Sequence, residues 1–101
     1  MTNLEFNVEN NTNQVERPFV DGDIVASNSG SHIFILKQFL SQTHLSKSGL
    51  CYVGCNAYTG QIYEEGKWCF HRHATEKEKQ YFFDTLKENG RLDEWNKHKS
   101  I

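Results

Sequence analysis

The stretch CYVGCNAYTGQIYEEGKWCFHRH, residues 51–73, holds all three cysteines of the chain and two of its five histidines, so metal binding and thiol chemistry are the first possibilities to weigh. A tetrahedral zinc site takes four Cys or His side chains, usually as two close pairs brought together by a loop. Cys51 and Cys55 make a poor pair: at ~3.3 Å per residue, positions four apart on a strand share a face but lie ~13 Å apart. Cys69, His71 and His73 make a better half-site, because alternate strand residues face the same way at roughly 6–7 Å. Their spacing names no fourth ligand. Cys69 beside His71 or His73 could also pair a thiol nucleophile with a base, but no motif supplies the orienting group and oxyanion donor that such a site needs. For Cys51 and Cys55 the spacing favours small apolar core groups on the same strand face as Val53. No metal or other cofactor is expected.

The remaining chemistries are weaker still. Asp21 and Asp23 flank Gly22 like a fragment of a calcium loop, but the other oxygen ligands and the terminal Glu at the required spacing are missing, so they read as turn formers. Glu64 and Glu65 sit in another turn. The sequence has no Gly-rich phosphate loop and no His-Glu-x-x-His, and an enzyme is not expected. Tyr52, Tyr58, Tyr63 and Trp68, with Lys67 and Arg72 among them, could form a stacking surface for nucleic acid. A net charge of −2, and an even mixture of acidic and basic residues over 74–101, speak against a basic binding stripe. Tyr52, Tyr58, Tyr63, Glu64, Glu65, Trp68 and Arg72 are left as candidates for contact with a partner protein.

These residues need a scaffold, and 101 residues suffice for one domain with a single small core. Seven Phe, four Tyr and two Trp mean that large rings carry much of the apolar area. Residues 1–17, rich in Asn, predict a flexible arm, or at most one edge strand through Leu4 and Phe6, with the domain spanning 18–101. No apolar run is long enough to cross a bilayer, the first residues lack the pattern of a secretory leader, and the odd number of thiols suits a reducing compartment, so the cytoplasm is expected. Asp21-Gly22-Asp23 predicts a turn into a strand, DIVAS, and residues 28–31 a hairpin loop. The return strand over 32–40 is apolar on both faces at its start, as a central strand is. Residues 41–49 predict a surface loop, 50–58 another strand, and Gln61–Tyr63 and Lys67–Phe70 two short ones. Thr75 and Glu78 form a capping box for a helix with Tyr81, Phe82, Phe83 and Leu86 on its apolar side, stopped at Asn89-Gly90. Residues 92–95 predict a further turn. The expected fold is α+β: a small curled antiparallel sheet or SH3-like partial barrel of about five strands, closed by one C-terminal helix.

The segment HRHATEKEKQYFFDTLKENGRLDEWNKHK resembles the ending of small phage and prophage proteins of Bacteroidetes. Those end in an Arg-x-Ala-Thr-Glu-Glu-Glu-Lys-Gln segment, a helix containing Leu-Phe-Asp, then a Gly and a Trp-Asn. The matching positions are Arg72, Ala74 to Gln80, Phe82 to Leu86, Gly90 and Trp95-Asn96. PFVDGDIV and HIFILKQF are similar to the opening of the same proteins, while the arm before Pro18 and the insertion Leu92-Asp93-Glu94 depart from them. The resemblance implies a curled antiparallel sheet closed by a helix, carries no activity with it, and places the chain among soluble phage accessory proteins of the bacterial cytoplasm. The expected role is non-enzymatic and works by protein–protein interaction with a host or phage protein. An inhibitor of a host defence system, such as a CRISPR effector nuclease, is one form of it, in keeping with mild acidity and a basic nucleic-acid channel as target. A small nucleic-acid- or zinc-binding regulator is the alternative.

Overall fold

Residues 18–98 are described by a computed structural model, and the arm expected over 1–17 lies outside them. The strands are β1 (Ile24–Ala26), β2 (His32–Gln42), β3 (Lys47–Asn56), β4 (Ile62–Tyr63), β5 (Gly66–Phe70) and β6 (Arg72–His73), followed by helices α1 (Glu76–Glu88) and α2 (Leu92–His98). All strand pairs are antiparallel, in the order β4-β3-β2-β1-β6, with β5 pairing β3 below β4. β2 is central, as its doubly apolar start predicts. The turn before β1 has Gly22 at φ 95°, where a side chain would be strained.

Six strands and two helices replace the expected five and one. The difference lies partly at 41–49, where the expected loop shrinks to a turn over 43–46 and both strands run on. Gln42 pairs with Lys47, and the Ser41 and Ser48 hydroxyls meet at 2.7 Å. A backbone ladder does not require apolar side chains, so a Ser-rich segment continues the hairpin. β6 is the other addition. His71 alone separates it from β5, yet β5 lies on the outer side of β3 and β6 on the outer side of β1. A chain that passes from one margin of a sheet to the other in one residue requires the sheet to curl until its margins approach. The curl stops short of a closed barrel.

Curling gives the sheet an outside and an inside, and each face carries its own core where a single one was expected. Outside, Ile24, Ala26, Ile33, Ile35, Val53 and Cys55 pack against Phe82 and Leu86 of α1. Inside, Val25, Phe34, Leu36, Cys51 and Phe70 cluster, with Phe19, Phe39, Tyr63 and Trp68 packed against them. Val25 and Phe70 come from strands on opposite sides of the sheet, which is what makes this the concave face.

The assignment of Cys51 and Cys55 to one strand face is corrected here. Ile35 pairs with Val53 but Leu36 with Cys51, so Tyr52 is an extra residue in β3 and reverses the facing of everything before it. Cys51 turns inward and Cys55 toward the helix. Both are fully buried, as small apolar groups should be.

α1 begins as the sequence predicts. The Thr75 hydroxyl accepts from the Glu78 N–H at 3.1 Å, and the Glu78 carboxylate accepts from the Thr75 N–H at 2.9 Å. It ends at Asn89 and Gly90, after which the Arg91 N–H donates back to the Leu86 carbonyl at 2.7 Å. α2 folds Trp95 back onto Phe83, ring centroids 5.0 Å apart.

Candidate functional site

The half-site suggested by Cys69, His71 and His73 does not assemble. β5 ends at Phe70, so the three residues belong to two strands and a link, and alternation no longer places them on one face. The His71 Nδ1 accepts from the Asn28 N–H at 3.0 Å. His73 stacks on Phe19 at 4.3 Å, its Nδ1 3.9 Å from an Asp23 carboxylate oxygen. Among the described residues no three His, Cys, Asp or Glu side chains come together as a metal site would need.

Cys69 is exposed, whereas burial pushes the Cys51 thiol up to about 12 and the Cys55 thiol up to about 11. Thiolate is the reactive form, so two of the three cysteines are chemically inert in the folded chain. A thiol-specific reagent at neutral pH is expected to modify one cysteine quickly and the other two only after denaturant is added; three fast equivalents would contradict the buried placement.

The candidate contact residues divide. Arg72 is committed internally: its guanidinium donates to both Glu78 carboxylate oxygens, at 2.7 and 2.9 Å, and to the Asn28 carbonyl at 3.2 Å. It locks β6 to the first turn of α1 and is not a free binding group. Arg72 first, and then the Thr75 N–H, hold the Glu78 carboxyl below the usual range. The folded chain therefore binds this proton more weakly than the unfolded chain. The resulting stabilisation is complete above the ordinary Glu pKa of about 4.3 and disappears as pH falls through the lowered value. Glu78→Gln is expected to lose about 1 kcal/mol at pH 7 and to flatten the decline of stability into acid. Urea unfolding at pH 7 and pH 3 measures this, and equal losses at both would show that the carboxylate charge contributes nothing.

Tyr52 lies toward the helices, stacked on His98 at 3.6 Å with its hydroxyl donating to Asp21 at 3.0 Å. Glu64 takes two hydrogen bonds from Arg91 at 3.0 Å, and Glu65 one from Lys37 at 3.1 Å. Arg91 lowers the pKa of Glu64 by that hydrogen bonding and by its charge. Tyr58 lies at the turn after β3, 78% exposed.

Tyr63 and Trp68 are brought together, and with residues the sequence reading passed over. On the concave face an open cleft of about 430 Å³ is lined by His32, Phe34, Tyr63, Lys67, Trp68 and Cys69. Phe34 and Trp68 lie nearly parallel, 10° apart with centroids at 5.7 Å, and His32 continues the row at 5° to Phe34 and 6.4 Å. Tyr63 tilts by about 32° against both His32 and Trp68. Gly54 permits this arrangement, since the position a Cβ would take is filled by the Phe34 ring. The chain matches no family model, curated protein or solved structure with which it was compared. His32 and Phe34 read as ordinary members of an apolar strand; the one signal they gave was that β2 is apolar on both faces, so that a second buried face had to exist.

The Trp68 Nε1–H is buried without a hydrogen-bond partner among the described residues, beside Gly66. Among the described residues no helix is long and apolar enough to cross a membrane.

Proposed function

We propose that this chain is a non-enzymatic interaction protein, a phage or prophage accessory factor of the bacterial cytoplasm that acts by seating part of a partner protein in its concave aromatic cleft. The observation that carries this reading is the cleft itself, where His32, Tyr63 and Trp68 remain half-buried beside the fully packed Phe34 core. Aromatic side chains that keep open area in a concave site are the usual anchors of protein recognition. The side chains that could have driven catalysis support the same reading: two thiols are buried and neutral, and Glu64, Glu65 and Glu78 are held by Arg91, Lys37 and Arg72. That pairing also shifts the weight of a host-defence-inhibitor role away from an acidic surface and onto the cleft.

The test is capture from host lysate with tagged wild type and with Tyr63→Ala, a change at a half-buried ring. Specific recovery of a protein, lost in the variant, is expected, and a defence nuclease among the captured proteins would support the inhibitor form. Recovery that ignores the variant, or none at all, overturns the reading. Binding of single-stranded nucleic acid keeps one observation in its favour, Lys67 beside the ring row. A gel shift that weakens with added salt would establish it.

A further inference from the structure

We propose that the cleft takes a segment of the partner protein in which an aromatic side chain stands next to a carboxylate. This rests on the reading of the cleft as the interaction site and names the chemistry of what it receives. Parallel and tilted rings lie side by side in the lining, so an incoming ring finds both offset-stacked and edge-to-face neighbours. A volume of about 430 Å³ suits one large side chain and its flanking backbone, at the small end of the usual range for binding pockets of ~300–1,000 Å³.

The charge distribution supplies the second half. Glu64 and Glu65, the acidic residues of the turn between β4 and β5, are drawn to Arg91 and Lys37, and among the described residues no carboxylate lines the cleft. Lys67 does line it, and among the described residues it has no ion-pair partner. The Tyr63 oxygen accepts from Asn56 at 3.2 Å, which leaves its O–H to donate. The His32 Nδ1 meets the Ser31 hydroxyl at 3.1 Å, which leaves the other ring nitrogen. The cleft therefore presents donors to its occupant and carries one cation, the exposed Lys67, at its margin, within reach of a carboxylate beside the ring. A nucleic-acid strand is the poorer fit because its backbone needs several cations along a groove, while Arg72 and Arg91 are engaged elsewhere.

The experiment is an amide NMR titration of the full-length chain with acetyl-Gly-Asp-Phe-Glu-Gly-amide, with acetyl-Gly-Lys-Phe-Lys-Gly-amide, and with a thymidine pentanucleotide. The acidic peptide is expected to shift the Trp68 indole and the Lys67 and Tyr63 amides saturably. The basic peptide should bind at least about tenfold more weakly, and Lys67→Glu should abolish most of the difference. Equal binding of both peptides, shifts outside the cleft, a response to the oligonucleotide alone, or no response up to about 10 mM overturns the proposal. If lysate capture still depends on Tyr63 while the acidic peptide fails, only the named chemistry falls; if capture is indifferent to Tyr63, the interaction site falls with it.

Discussion

Phe82→Ala is expected to destabilise the chain by about 3–5 kcal/mol, the range for truncating a buried Phe, and to lower the melting temperature by roughly 15 °C or more. Phe82 is fully buried and packs with Leu86 into the outer core formed by Ile24, Ala26, Ile33, Ile35, Val53 and Cys55. α1 has 13 residues, a length at which an isolated helix is marginal in water, so its persistence depends on this docked side. The capping box sets where the helix starts; the Phe82 ring holds it on the sheet. Tyr81 is the control, since it is 38% exposed and its replacement by Ala should change stability by less than about 0.5 kcal/mol. Urea unfolding followed by far-ultraviolet circular dichroism separates the two. A loss below about 1 kcal/mol for Phe82→Ala would mean that α1 is held by something other than this ring.

Gly54→Ala should act on the opposite face, with a cost of about 2–3 kcal/mol, at the upper part of the range for overpacking. A Cβ at this position would overlap the Phe34 ring and lie 2.8 Å from the Ile33 carbonyl oxygen. The carbonyl belongs to the ladder and cannot yield, so the ring must. Phe34 is the middle of the row formed with His32 and Trp68, and its displacement should disturb the cleft together with the fold. The expected result is a lower unfolding midpoint accompanied by a moved Trp68 indole signal, with the Trp95 indole signal little changed because that residue packs on Phe83 beyond the sheet. Unchanged stability would show that the strands separate easily at this point.

What the sequence makes readable here is the chemistry that acts over a few residues. The Thr75–Glu78 box, the Asn89-Gly90 stop and the loop between β1 and β2 depend on neighbours in the chain and appear where residue types place them. Registers are another matter. Whether Cys51 faces with or against Cys55 is decided by a single extra residue, Tyr52, opposite a strand some 16 residues earlier, and alternation alone cannot reveal a bulge. The contact residues divide for the same reason. Glu64 and Glu65 look solvated in their turn because Arg91 and Lys37 stand 27 and 28 residues away. His32 and Phe34 join Tyr63 and Trp68 only after the sheet curls, and nothing local to either strand marks them as one site.

The passage from β5 to β6 through His71 makes chain length itself a structural parameter. Lys47 Nζ donates to the His71 carbonyl at 3.0 Å and the His71 N–H donates to the Ala26 carbonyl at 2.9 Å, so this one residue is tied to both sides of the seam. It works as a gauge: the span of one peptide fixes how near the two margins stand and therefore how deep the concave face is. Side-chain changes around the seam leave that span alone, but one residue inserted there would widen the spacing and make the cleft shallower without altering any residue that lines it.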